Sequence, residues 1–363
     1  MATSEAPVQP QSAPIQKCSD IVSYYRPCRH FRSEDKKTFV TSLDFDDTGE
    51  LAIVSRTDDT LQIYNCKEGK HAKELKSQKY GVHLARFTHH AGSILYASTK
   101  VDDGIRYLST HDNSYIRYYK GHTDTVTCIA MSPSSDEFVS CGQDNTVRLW
   151  ALNSPNAKGQ LNLISPYFAA YDPSASVMAI ASPPTQSILL YDVRMFDKAP
   201  FSSFDLADLE KRFNPPGKGR NWSKIEFSND GKNLLVATAG QGHFVLDAFE
   251  GHLRHFCLRP KGGRSERRVP GETAPNRPVG QGDVTFSQDG QFLIGGSGND
   301  GLAVWDVHSP TADDFLLRPS SELPVHPGIP PRVEVVACNP RHNLICTADR
   351  DMLIWLPDSE IMP

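Results

Sequence analysis

The chain has no run of about 18 apolar residues, so it contains no segment able to cross a bilayer as a helix. It has no excess of positive charge either. With 38 Lys and Arg against 43 Asp and Glu, a net charge of -5 gives no broad cationic field to grip a nucleic-acid backbone, and direct nucleic-acid binding is not expected. The eight cysteines, at 18, 28, 66, 128, 141, 257, 338 and 346, include no C-x-x-C pair and have no His at metal-ligand spacing. They read as reduced thiols, and neither a metal nor a cofactor is expected. A phosphate-binding loop with its Lys, H-E-x-x-H, G-x-S-x-G and a protein-kinase signature are all missing. Gly296-Ser-Gly-Asn-Asp-Gly301 has the spacing of a dinucleotide loop, but strand-like stretches flank it where a helix would be required, so it reads as a hairpin turn. No residue is assigned a catalytic role, and the chain is expected not to be an enzyme. The first 17 residues are rich in Pro, Gln, Ser and Ala and lack an apolar stretch. They predict a disordered extension of a soluble intracellular protein, in which the glycosylation acceptor Asn221-Trp-Ser223 stays unmodified.

What is present is repetition. The chain has 363 residues, 39% hydrophobic and 22% charged, which is ample material for a folded core. A period-2 apolar strand, a polar turn, a second apolar strand, an Asp-containing turn and a third strand recur seven times, over 40–64, 82–108, 126–150, 167–191, 223–246, 283–305 and 333–355. The first units repeat at the roughly 40 to 45 residues of a four-stranded propeller blade, and the later ones are longer by insertions. The turns carry Gly, Asp or Asn, as in Ser228-Asn-Asp-Gly231 and Ser287-Gln-Asp-Gly290, which suits antiparallel connections. The fold class is therefore all-β, a single seven-bladed propeller over 18–363. Residues 21–31 are strand-like and precede the first unit, while the last unit runs out of chain soon after its third strand. The N-terminal segment is thus expected to supply the outer strand of the last blade and leave no open edge.

Unit three is the most regular. Gly121-His122, Ser140, Asp144 and Trp150 stand where WD repeats place a Trp-Ser-His-Asp hydrogen-bond network, and the resemblance implies that this network is structural. A His between a hydroxyl and a carboxylate also has the composition of a catalytic relay. The repeat already accounts for all four residues. Asp58, Asp102 and Asp349 align with Asp144, and Asn299 takes its place in unit six. Residues 201–220, 258–282 and 307–331 interrupt the spacing and are expected to be surface loops, with a short helical turn over 205–213. The middle loop carries Arg259, Lys261, Arg264, Arg267 and Arg268, which suits either solvent or an acidic partner.

Several stretches, among them Asp103-Gly-Ile-Arg-Tyr-Leu108, His111-Asp-Asn-Ser-Tyr-Ile-Arg-Tyr118 and Tyr191-Asp-Val-Arg-Met-Phe-Asp-Lys198, resemble one WD-repeat family. Leu246-Asp-Ala-Phe249 and Trp355-Leu-Pro357 also match it. This is the subunit, called Swd-two in yeasts, that is shared by the COMPASS histone lysine methyltransferase complex and the cleavage-and-polyadenylation factor. The resemblance implies a nuclear, non-catalytic scaffold. Its implied partners are the N-terminal region of a SET-domain methyltransferase, cleavage-and-polyadenylation factor subunits and, as in animal relatives, the phosphorylated tail of RNA polymerase II. By alignment with unit three, Arg56, Lys100 and Arg350 lie in the turns before the third strands of three units that become neighbours when the ring closes. They are the candidate phosphopeptide ligands. The plainer reading pairs each with a nearby carboxylate such as Asp58, Asp102, Asp349 or Asp351. A propeller that receives substrates for a ubiquitin ligase is the alternative function.

Overall fold

The structure, a computed structural model, describes residues 17–35, 37–215, 222–260, 262, 282–297, 301–310, 314–325, 328 and 332–362. Seven sheets, each with a four-stranded antiparallel core, form the blades of a ring. The strands of blade 1 are Val40–Phe45, Leu51–Arg56, Thr60–Asn65 and Lys70–Lys76, from the channel outward. Blade 2 has His83–Phe87, Ser93–Ala97, Ile105–Ser109 and Tyr115–Tyr119, and blade 3 has Val126–Met131, Glu137–Gly142, Thr146–Ala151 and Gly159–Asn162. Phe168–Tyr171, Val177–Ser182, Ser187–Asp192 and Ser202–Asp205 make blade 4, and Trp222–Phe227, Asn233–Thr238, Gly242–Asp247 and Leu253–Leu258 make blade 5. Blade 6 comprises Val284–Phe286, Phe292–Gly296, Leu302–Asp306 and Ser321–Leu323. Blade 7 takes Val335–Cys338, Ile345–Ala348 and Met352–Pro357 from the C-terminal end and Tyr25–Phe31 from the N-terminal end. The first strands of neighbouring blades approach one another around the central channel.

There is no single core. Seven hydrophobic clusters each lie between two adjacent blades. Strand alternation makes this arrangement: Ala52 and Val54 point to the layer shared with blade 7, and Ile53 between them points to the layer shared with blade 2. Second strands are covered on both faces and so read as unbroken apolar runs, as in Ser93–Ala97, where every residue is buried. Outer strands alternate with solvent, and Gly159–Asn162 has no fully buried residue.

Ring closure follows the expected plan, with an addition. Tyr25–Phe31 runs antiparallel to Met352–Pro357, from Tyr25 opposite Pro357 to Phe31 opposite Met352. The chain enters this strand through a helical turn, Cys18–Ile21, and a 3-10 turn, Val22–Tyr24, so that residues 21–24 of the stretch read as strand-like are helical instead. Ile21, Val22 and Tyr25 fill the layer between blades 6 and 7, so the segment acts as a plug as well as an edge strand. Residues 1–16 of the expected extension lie outside the described residues.

The three insertions are not simply surface loops. The first contributes the outer strand of blade 4 and the helix Ala207–Phe213, whose Glu210 is buried and accepts a hydrogen bond from Trp222 Nε1 at 2.7 Å. In the third, Leu316–Leu317 lies parallel to the outer strand of blade 5, and only then does the chain return as Ser321–Leu323 to complete blade 6. Of the cations in the second, Arg259 is buried in the blade 5/6 seam and is not a surface group. Lys261, Arg264, Arg267 and Arg268 lie outside the described residues, as does Asn299. Among the described residues, no helix is long and apolar enough to cross a membrane.

Candidate recognition faces and channel

In blade 3 the four residues of the repeat signature meet in one chain of hydrogen bonds. Trp150 Nε1 donates to Ser140 Oγ at 2.8 Å, Ser140 Oγ lies 2.7 Å from His122 Nε2, and His122 Nδ1 lies 3.0 Å from Asp144 Oδ2. With the indole N–H donating to Ser140, the Ser140 hydroxyl donates a hydrogen bond to Nε2 and Nδ1–H donates to Asp144, so the neutral imidazole satisfies every member. Burial lowers the His122 pKa despite the adjacent Asp144, in agreement with that tautomer. Asp144 stays below the usual carboxylate value: burial opposes this, but Thr146, Thr123 N–H and His122 outweigh it. Ser140 is wholly buried with both hydrogen-bonding roles engaged, so no substrate reaches its oxygen. The plan recurs in part elsewhere. Asp58 accepts from both Thr60 N and Thr60 Oγ1, and in blade 7 Thr347 takes the serine's place as acceptor for Trp355 Nε1 at 2.9 Å. His252, after the third strand of blade 5, is exposed and 3.4 Å from Glu250.

The three candidate cations share the face that carries His122 and Asp144, in the turns between second and third strands. Arg56 Nη2 donates to Ser33 Oγ at 2.9 Å and lies 3.3 Å from Asp58 Oδ2, and Lys100 is paired with Asp59, across the blade 1/2 boundary, instead of with Asp102. Asp102 is held by Arg106, Asp351 by His30 and Asp349, at 3.8 Å, by Arg332. Arg350 is exposed, its guanidinium 5.4 Å from the centre of the Phe39 ring. Two of the three cations are thus engaged with carboxylates, and Arg350 presents the accessible guanidinium.

Sequence reasoning missed a fully buried ion pair. Arg259 follows the outer strand of blade 5 and turns inward, where Nη1 and Nη2 grip the two oxygens of Asp283 at 2.7 and 2.9 Å. The same nitrogens donate to Gly296 O at 2.8 Å and to Thr238 O at 2.6 Å, so one side chain links second strands of blades 5 and 6. Its run of basic neighbours suggested a surface role; the only available sign of burial was its place at the end of an apolar strand.

The channel opens at the end carrying the turns between first and second strands, into a cavity of about 420 Å³ lined by all five first strands of blades 1 to 5. Its wall is largely apolar but carries charges of both signs: Asp44, Arg86, Lys224 and Glu226 line it, with His89 and Cys128. Burial pushes the Asp44 carboxyl up to about 6, against the pull of the Arg86 guanidinium. Lys224 pairs with Glu226 at 2.5 Å. His89 bridges three blades, with Nδ1 2.8 Å from Asp47 Oδ2 and Nε2 2.9 Å from Ser132 O. Among the described residues, no cluster of His, Cys, Asp and Glu has the arrangement of a metal site.

Residues 113–151, from the outer strand of blade 2 through the third strand of blade 3, match the family profile described as WD domain, G-beta repeat. Over nearly its whole length the chain is similar to three relatives. It is 35% identical to the Set1 complex component swd2 of Schizosaccharomyces pombe, covering 93% of this chain and 98% of the relative. It is 36% identical to WD repeat-containing protein 82 of Drosophila melanogaster, over 95% and 98%, and 31% identical to the COMPASS component SWD2 of Saccharomyces cerevisiae, over 92% and 96%. With seven blades in place and the alignments spanning nearly the whole chain, it belongs to the Swd2-like family of WD-repeat proteins.

Proposed function

We propose that the protein is a non-catalytic scaffold subunit of a Set1/COMPASS-type histone lysine methyltransferase complex in the nucleus, docking the N-terminal region of the SET-domain subunit. The observation that carries this reading is the near full-length similarity to two yeast proteins named as components of that complex. A ring of seven blades suits the role, because it offers two broad faces on a body whose hydrophobic layers lie between blades. The buried Trp150-Ser140-His122-Asp144 chain then serves to pin blade 3, with no part in chemistry.

The fuller reading adds a second assembly with the cleavage-and-polyadenylation factor and recognition of the phosphorylated RNA polymerase II tail. Arg350 is the first phosphate ligand in that reading, and Arg56 and Lys100 join it by exchanging Asp58 and Asp59 for phosphate oxygens. Tagged purification from nuclear extract with mass spectrometry tests the whole. Recovery of a SET-domain methyltransferase supports the core reading, and recovery of 3′-end processing factors supports the second assembly. A cullin-type ligase in their place would favour the ubiquitin-ligase receptor. Phosphopeptide affinity unchanged by charge reversal at Arg56, Lys100 and Arg350 together would remove the tail-reading part alone.

A further inference from the structure

Two cysteines of blade 3 stand directly opposite each other. In the pairing of Val126–Met131 with Glu137–Gly142, a bulge at Thr127 brings Cys128 into register with Cys141. Opposed residues of an antiparallel pair have Cα atoms roughly 4.5 to 5.5 Å apart and side chains on one face, which falls within the range a disulfide spans. Both thiols are reduced and both point into the layer shared with blade 4. Their exposures differ. Cys141 is wholly buried, whereas Cys128 is half-buried and lines the channel cavity.

We infer that Cys128 and Cys141 form a peroxide-responsive dithiol, with Cys128 as the attacking sulfur, reached through the channel, and Cys141 as the resolving thiol behind it. The Cys128 sulfur sits against the backbone of blade 4: Ala169 N–H donates to it from 3.4 Å, and as a thiol it donates to Ala169 O at the same distance. The neighbouring Cys141 side chain first, then the Ala169 N–H and the Arg86 charge, bring the Cys128 thiol down to about 7 against the opposing effect of burial, while burial pushes Cys141 well above the ordinary thiol value. A thiolate outside and a protonated thiol inside is the order that a two-step oxidation requires.

In the first step the Cys128 thiolate attacks a peroxide oxygen: the S–O bond forms, the O–O bond breaks, and hydroxide leaves and takes up a proton to become water. In the second, Cys141 loses its proton and attacks the sulfenic sulfur; the S–S bond forms, the S–O bond breaks, and a second water departs. A thiol reductant reverses the pair. Oxidation draws the Cys128 sulfur away from Ala169, so its effect falls on the channel wall where blades 3 and 4 meet. The molecule supplies its own control. Cys66 and Cys346 are a second pair of neighbouring thiols, but they are buried together between blades 7 and 1, away from the channel.

The test is peroxide treatment of the reduced full-length chain at pH 7, followed by alkylation and peptide mapping without reductant. Cys128 and Cys141 fall in one tryptic peptide, 121–148, so the bond reads as a loss of two hydrogens and resistance to alkylation. Wild-type protein is expected to show this at least about tenfold faster than oxidation at the exposed Cys28, whose thiol burial pushes up. Cys141→Ser should stop at a sulfenic acid on Cys128, trapped by dimedone, and Cys128→Ser should abolish both products. Independently of any variant, iodoacetamide labelling of Cys128 should rise with a midpoint near pH 7. Cys128 and Cys141 still alkylatable when Cys28 is oxidised, or a disulfide forming at Cys66–Cys346 first, would overturn the inference.

Discussion

Replacing Arg259 by Ala should be among the most damaging single changes this ring can suffer. The guanidinium makes four hydrogen bonds from a residue that is 2% exposed: two to Asp283 and one each to Gly296 O and Thr238 O. Its removal deprives the buried Asp283 carboxylate of its cation and two backbone carbonyls of their shared donor, and breaking one side of a buried pair costs about 3 to 5 kcal/mol. Unfolding entropy is about 2.1 cal/mol/K per residue, so a chain of 363 residues loses roughly 1.3 °C of Tm per kcal/mol, and the drop should be about 4 to 7 °C. Differential scanning calorimetry at one fixed scan rate measures it. Arg259→Lys should recover only part, because an ammonium cannot span both carboxylate oxygens and both carbonyls. The double change Arg259→Met with Asp283→Leu should recover most, since an apolar pair leaves no buried charge unmatched. A melting temperature for Arg259→Ala within 1 °C of wild type would refute the claim that this pair pins blades 5 and 6.

Other expectations follow the same geometry. Deletion of residues 1–31 removes the edge strand Tyr25–Phe31 and its plug and should abolish cooperative unfolding, whereas deletion of 1–17 should leave the melting curve unchanged; equal curves for the two truncations would contradict the clasp. Ser140→Ala strips both Trp150 and His122 of their partner and should cost about 1 to 3 kcal/mol in urea unfolding. His89 has its pKa raised above 6.5, chiefly by its hydrogen bond to Asp47, so its contribution to stability is complete below 6.5 and is lost as pH rises through the raised folded value. Stability measured from pH 6 to 8 should therefore fall with pH in the wild type and fall less steeply in His89→Asn.

Much of the ring was legible because its inner strands carry a strong pattern. Residues 51–56 and 345–348 are apolar on both faces, and the turns between strands are marked by Gly and Asp, so repeat number and order follow from spacing alone. Outer strands were less legible. Ser202–Asp205 and Ser321–Leu323 alternate with solvent and contain few apolar residues, and so they read as loop. The helical entry over residues 21–24 was hidden because a short stretch rich in β-branched and aromatic residues suits strand and helical turn alike. At the candidate sites, sequence alignment placed His122, Ser140, Asp144 and Trp150 within one unit, whose internal distances the repeat fixes. Pairings between units were beyond its reach: Lys100 with Asp59, Arg259 with Asp283 and His89 with Ser132 each depend on how neighbouring blades abut, which no spacing within a repeat reports.

The clasp also sets a schedule for synthesis. Cys28 Sγ donates to Ile354 O across 326 positions of sequence, and neither this bond nor any of its ladder can form until the C-terminal strand has left the ribosome. At roughly 5 to 20 residues per second, the N-terminal strand waits about 15 to 65 s with its edge unpaired while six blades assemble behind it. During that interval the nascent chain is an open arc with two raw sheet edges, the arrangement most prone to pairing with another chain. Contacts of such high separation also fold slowly once synthesis ends. A partner whose footprint crosses the seam between blades 7 and 1 therefore meets its surface only after the strand Met352–Pro357 has emerged, and earlier assembly is confined to surfaces made by blades 1 to 6.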